Sequence, residues 1–320
     1  KVLIIALLQT ALAGYGTIED GYPNWGERSL HLWTNAVRIA PEAFEEEYPC
    51  SFSSWSESER TSKSLLFYDY NLNDAARFHT ADMVDNGFFS HTSYDGTSFF
   101  DRVARFYGES GYVGENIASG YGDTYAAVIY GWMCSDGHRS NIMLADYNEL
   151  GTGVLSTMYT QDFAAGIVET RSPIAMGLHE PEMPTESVRF MADWEARAPN
   201  RLEVVLDGDS IPMDLLYGKG KLGVYQANVD MLSSGCHSYW FRWETDSREG
   251  SYPEEGSYVF GVGCDDEDWT ADRIDNTDTG DSGWGDGELR LKGCSCSSSG
   301  QKGAAWWLLL PLMGVAIRRR

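Results

Sequence analysis

The spacing of apolar residues changes period along the chain, and each change marks an element. In LHLWTNAVRIA, residues 30–40, Leu30, Trp33, Val37 and Ala40 recur at helical spacing until Pro41 removes the next backbone donor. Asn71 offers a cap for a second helix, in which Leu72, Ala76, His79 and Met83 share one face and which Gly87 ends. Phe99, Val103 and Phe106 draw a third stripe within 97–107. Asp123 caps a fourth helix with Tyr125, Val128, Ile129 and Trp132 on one side. GTGVLSTMYT (151–160) and DFAAGIVET (162–170) then read as strands. Helices followed by late strands predict an α+β layered domain ending near Thr170.

RSPIAMGLHEPEMPTES, with three prolines, reads as a join over 173–186, and beyond it the pattern shortens to strand length. Over 187–264, short runs between Asp-Gly and Pro-Glu-Glu-Gly turns predict a small antiparallel β-sandwich, with Tyr239, Phe241 and Trp243 alternating onto one face. Residues 265–303 are rich in Asp and Gly and carry two further cysteines. Because 265–293 holds no D-x-[DN]-x-[DN]-G loop, it reads as a solvated spacer and not as a calcium site.

The ends change the picture. KVLIIALLQTALAG places a lysine, an apolar run and small residues at Ala11 and Ala13 in order, the pattern of a secretory signal peptide over 1–13. At the other end, 304–320 runs from an apolar segment into Arg318, Arg319 and Arg320. With Cys294 and Cys296 ahead of it, this end resembles the MYXO-CTERM sorting tail. That resemblance implies cutting by a sorting protease near one of these cysteines and display at the cell surface or outer membrane, while a plain membrane anchor would place the protein at a membrane as well. Six cysteines suit an oxidising destination. One bridge within each domain predicts Cys50–Cys134 and Cys236–Cys264, although spacing alone does not fix connectivity. The net charge of -24 argues against a nucleic-acid partner, since phosphate binding needs clustered Lys and Arg.

Candidate chemistry gathers in three motifs of the first domain: FFSHTSYDG with His91, GENIASG with Glu115, and WMCSDGHRSNIM with Ser135 and His138. Two imidazoles and a carboxylate brought together can hold a divalent, zinc-like metal or share protons. His79, on the apolar face of its helix, reads as a packed core residue. Asn116, Arg139 and Asn141 read as turn and helix-end hydrogen bonders.

The ordered motifs resemble the bacterial, SCP-like extracellular branch of the CAP superfamily (cysteine-rich secretory protein, antigen 5, pathogenesis-related 1). They are Asn35 and Arg38, Ala76-Arg77-x-His79 with Met83, Ser90-His91, Gly114-Glu115-Asn116, Trp132-Met133 through His138-Arg139 to Asn141-Ile142, and Gly151-x-Gly153-Val154. The resemblance covers 25–172 and implies a three-layer α-β-α sandwich with a broad cleft of two histidines and two acids. His91 matches the first histidine, Glu115 the first acid and His138 the second histidine. The second acid's position falls on Ser135, leaving Asp136 as a substitute.

These readings favour a secreted binding protein whose cleft takes a divalent metal or a small apolar or lipid ligand. Two alternatives stand beside it. One is a hydrolase in which Ser135 attacks, His138 is the base and Glu115 orients it, a reading weakened by the lack of a G-x-S-x-G elbow. The other is a surface adhesion protein whose β-domain meets a glycan or protein through Tyr239, Trp240, Phe241 and Trp243.

Overall fold

A computed structural model describes residues 23–108, 112–166, 172–230, 233–264 and 268–276. The signal-like segment 1–13, the cysteines Cys294 and Cys296 and the tail 304–320 lie outside the described residues.

The first domain holds helices α1 (Trp25–Ile39), α2 (Glu57–Arg60), α3 (Tyr70–Asn86), α4 (Phe99–Tyr107), α5 (Thr124–Ala126, continuing as a π-helical turn over Ala127–Trp132) and α6 (Asp136–Ile142). Its strands β1 (Phe67–Tyr68), β2 (Val113–Ser119), β3 (Glu149–Leu155) and β4 (Met158–Ala164) form one sheet in the order β1-β3-β4-β2. Side chains alternate across a strand, and here the alternation assigns the layers. Cβ atoms at Gly151 and Gly153 would strike the backbone of α3 at 2.0 and 2.4 Å, so only glycine lets that helix lie so close. From the intervening position, Thr152 donates to the Glu27 carbonyl of α1 at 3.0 Å, and Gln161, opposite it on β4, donates to Thr34 at 2.6 Å. Helix α3, with α4 against it, therefore covers one face and α1 the other.

Local chemistry sets the helix ends. Asn24 and Glu27 form a reciprocal capping box at α1. Asp69, two residues before the expected Asn71, caps α3 by accepting from Leu72 N, and Gly87 closes it at φ 65°. The periodicity reading misplaced one strand boundary and missed β1 and β2. The run 151–160 folds over on itself between β3 and β4, and β2 was invisible because Gly, Glu and Asn interrupt its apolar alternation while its interior is buried.

The remaining strands are β5 (Gly177–Glu180), β6 (Ser187–Glu195), β7 (Arg201–Leu206), β8 (Asp209–Pro212), β9 (Asp214–Lys219), β10 (Leu222–Asp230), β11 (Cys236–Glu244), β12 (Glu249–Tyr252), β13 (Ser257–Gly261) and β14 (Trp269–Thr270). They form sheets β5-β6-β10-β9 and β14-β13-β11-β7-β8, with β12 paired to β11. Between the two sheets lies a core of Phe190, Trp194, Val204, Tyr239, Phe241 and Tyr258.

The stretch 173–186 differs from the expected join. Ile174, Ala175 and Met176 are buried, and β5 is an edge strand of the sheet that packs on α1. Met176, Leu178, Met191 and Val224 belong to the same core as Leu30, Val37 and Phe163, so the two predicted domains share one interior. Polar groups cross the seam too: Asn35 donates to Asp193 at 2.6 Å, and Asp193 accepts from the Ala175 and Met176 amides, both at 2.8 Å. This explains why 13 of the 15 residues of α1 are buried, on the polar side as well as the apolar one. Part of the expected spacer also folds back. β14 pairs with β13, and Asp268 meets the fully buried Arg28 at 3.5 Å.

Disulfides join Cys50 to Cys134 and Cys236 to Cys264, as the cysteine positions predict. The expected aromatic platform is absent: Tyr239, Trp240, Phe241 and Trp243 are all buried, because the first, third and fourth fill the inter-sheet core. Trp240, on the other face, is covered by the Arg242 and Arg273 guanidinium groups and donates to Ile274 O at 3.2 Å.

Candidate functional site

His91 sits in the turn that follows α3, where an exposed imidazole needs its backbone held. Two buried side chains hold it. His79 Nε2 donates to the neighbouring Ser90 carbonyl at 2.8 Å, and Arg102 Nη1 of α4 donates to the His91 carbonyl at 3.1 Å and to Ser93 Oγ at 2.9 Å. The His91 side chain is 53% exposed on one side. On the other, its Nδ1 donates to Glu115 Oε1 at 2.8 Å.

Glu115 reaches that point because β2 register places it on the α3 and α4 face, directly across from Asp162 of β4. Its second oxygen accepts from Arg102 Nη2. Two buried carboxyls thus face one buried guanidinium. Burial first and the Glu115 charge next push Asp162 well above the usual carboxylate range, while Arg102 pulls the other way, an environment that favours the protonated form of Asp162.

His138 arrives from α6, which is pinned to β2 by amides. Asn116 Nδ2 donates to the His138 carbonyl at 3.1 Å, and Asn141 Nδ2 donates to the Glu115 carbonyl at 3.2 Å and to Asn116 Oδ1 at 2.9 Å. Trp132 Nε1, donating to Ile117 O at 3.0 Å, fixes the preceding turn to the same strand. Burial and then the neighbouring His91 lower the His138 pKa below the ordinary imidazole value, which favours a neutral ring with a nitrogen lone pair to offer. His91, Ser135 and His138 line one cleft of about 600 Å³, whose apolar wall includes Phe89, Ile117 and Trp132.

Residues 19–166 match the model of the family described as CAP, the Cysteine-rich secretory protein family. This part of the chain is therefore similar to CAP domains. Within it, the uncharacterized membrane protein YlbC of Bacillus subtilis (strain 168) is 41% identical over 98 residues, which is 31% of this chain and 28% of YlbC. The uncharacterized protein YkwD of the same organism is 33% identical over 134 residues, 41% of this chain and 51% of YkwD. This chain therefore spans only part of either relative. Among solved structures, an extracellular protein containing a SCP domain from Bacillus anthracis str. Ames shares 31% identity over 44% of this chain and 40% of that one, with a TM-score of 0.35.

In this CAP-like domain, His91, Glu115, Ser135 and His138 come together, but with unequal parts. Glu115 lies beneath His91 with both oxygens engaged, so it backs the imidazole and does not face the cleft. Ser135 occupies the N-cap position of α6 without a side-chain cap bond. Asp136 does not replace the second acid. Its side chain is 95% exposed and accepts from Arg139 at 2.7 Å, while Arg139 also ties α6 to Glu59 and lies over Trp55. The acid beside Glu115 is Asp162, which sequence reading missed because only strand register brings it there. Arg102 was missed as well, although a signal existed: it adjoins Val103 and lies one turn from Phe99 and Phe106, a charge within an apolar stripe that calls for a buried partner. Among the described residues, no three His, Cys, Asp or Glu side chains are grouped to hold a metal.

Proposed function

We propose that the CAP cleft binds a divalent, zinc-like cation through the imidazoles of His91 and His138, with the remaining coordination positions open to water or a small ligand lying along the apolar wall. The observation that carries this reading is the Arg102–Glu115–His91 relay, in which the buried Arg102 and Glu115 back the half-exposed imidazole. It spends Nδ1 of His91 on a carboxylate, fixes the ring's tautomer and leaves Nε2 as the donor atom, the outer-sphere arrangement that orients metal-binding histidines. The ligand set expected from sequence is thereby narrowed, since Glu115 acts behind His91 and does not ligate. A bound cation would supply Lewis acidity or a charged anchor for a ligand. A serine hydrolase would instead need the Ser135 hydroxyl on His138 within about 3 Å, and among the described residues no such hydrogen bond occurs.

The secretory family description, the two disulfides and the signal-like 1–13 segment support an extracellular location, with the tail and Cys294 or Cys296 serving surface attachment. Among the described residues, no helix is long and apolar enough to cross a membrane.

Calorimetric titration of the protein with zinc tests the site. Wild type should bind, His91→Ala and His138→Ala should each abolish binding with the fold intact, and Glu115→Gln should weaken it by about 10- to 100-fold. No binding by wild type, or equal binding by both histidine variants, overturns the proposal.

A further inference from the structure

A second cavity, of about 690 Å³, lies at the seam where the CAP-like domain meets the β layers and shares none of its described lining residues with the His91–His138 cleft. That volume is in the range of small-molecule sites. Four aromatic side chains wall it: Trp25 and Trp33 of α1, Tyr125 of α5 and Tyr217 of β9. Trp33 and Tyr125 meet edge-on with ring centroids 4.7 Å apart.

The indole and hydroxyl donors of Trp25, Trp33 and Tyr125 are already spent inside the protein, which leaves the Tyr217 hydroxyl and the rest of the Arg189 guanidinium as donors. Trp25 Nε1 donates to His179 O at 2.8 Å, Trp33 Nε1 to Glu180 Oε1 at 2.8 Å, and the Tyr125 hydroxyl to Glu47. The Ser29 and Thr124 hydroxyls satisfy each other at 2.6 Å. What the walls offer a ligand is therefore mainly ring surface and carboxylate acceptors, with donors only from Tyr217 and Arg189. Three carboxylates line the cavity, Glu47, Asp123 and Glu180, against one guanidinium, Arg189, among the described lining residues. Arg189 is itself engaged by Glu180 at 2.6 Å, which leaves the negative charge of Glu47 and Asp123 without a cationic neighbour in the lining.

This combination selects among ligand classes. A sugar needs several donors as well as acceptors, and here acceptors outnumber donors; an anion is repelled by the excess of carboxylates, and a neutral apolar ligand would strip water from them without replacing it. An organic cation of low hydration satisfies both features, since aromatic faces attract it through their quadrupoles and the carboxylates through charge. We propose that this cavity binds an alkylated ammonium group of the choline type, carried either by a free solute or by a lipid headgroup. Because Glu180, Arg189 and Tyr217 come from the β layers, the site exists only where these layers cover α1.

The test is calorimetric titration of the full chain with tetramethylammonium and choline chlorides at constant ionic strength, with potassium chloride as the reference. Saturable one-to-one binding is expected for both organic cations, with potassium at least about tenfold weaker. Exposed Glu47 gives a variant that leaves the core alone: Glu47→Arg should weaken binding at least about tenfold, while His91→Ala should leave it unchanged even if zinc binding is lost. Sedimentation with phosphatidylcholine vesicles, competed by tetramethylammonium, would assign the group to a lipid, and binding of the soluble cations without sedimentation would assign it to a free solute. No saturable binding up to about 50 mM, potassium binding equally well, or an unaffected Glu47→Arg variant each overturns the inference.

Discussion

Replacing Arg102 with Met would remove the guanidinium that pairs with the Glu115 carboxylate, while keeping the length of the side chain. Arg102 is fully buried and donates to Glu115, to the His91 carbonyl at 3.1 Å and to Ser93 at 2.9 Å. Breaking a buried ion pair from one side costs about 3–5 kcal/mol, because the remaining charge stays desolvated. The abandoned carbonyl adds about 1 kcal/mol. The sum, about 4–6 kcal/mol, is a large share of the stability of an ordinary domain and corresponds to a melting temperature lower by roughly 8–20 °C for a unit of this size. Urea denaturation at neutral pH and thermal melting followed by circular dichroism would measure it. The double variant Arg102→Met with Glu115→Gln neutralises the stranded carboxylate and should recover a substantial part of the loss, which a purely steric effect of Met would not permit. A single variant within about 1 kcal/mol of wild type, or a double variant no more stable than the single, would refute the account of this cluster.

Three further outcomes follow from the same packing. Burial lowers the pKa of His31 to about 4 and of His179 to about 3, so each contributes stability above the ordinary histidine value that is lost as pH falls toward these figures, about 3 kcal/mol apiece near pH 4. Asp193, raised by burial to about 7, works in the opposite direction, and a His179→Gln variant should therefore show a flatter acid limb in its urea midpoint than wild type; equal slopes would count against the assignment. Gly151→Ala should destabilise by about 3 kcal/mol because its Cβ must displace α3, whereas Gly122→Ala, with nothing within 4 Å, should be neutral in the same denaturation assay. Removing the Cys50–Cys134 bridge, which closes 84 residues, should cost about 4.5 kcal/mol by loop-closure entropy, and removing Cys236–Cys264, which closes 28, about 3.6 kcal/mol, both measurable by denaturation of the Ser pairs.

The sequence by itself determined the local elements and most of the chemistry-bearing residues. Period and caps located α1, α3, α4 and the Asp123-capped turn, since those signals act within one or two turns of the chain. His91, Glu115, Ser135 and His138 stood out as polar groups in ordered motifs, and the in-domain cysteine pairs were legible from position. Tertiary structure decided how those residues share the work. Strand register, a relation between segments 47 residues apart in sequence, set Asp162 beside Glu115 and moved the second acid away from Asp136. The same long-range packing brought Arg102 onto Glu115 and turned 173–186 from a join into an edge of the core. It also covered Trp240, which alternation alone would have left facing water on the face opposite Tyr239, Phe241 and Trp243. Periodicity reports which face of an element is apolar, but not what covers the other face. The β layers cover the polar side of α1, and that second covering creates the cavity at the seam.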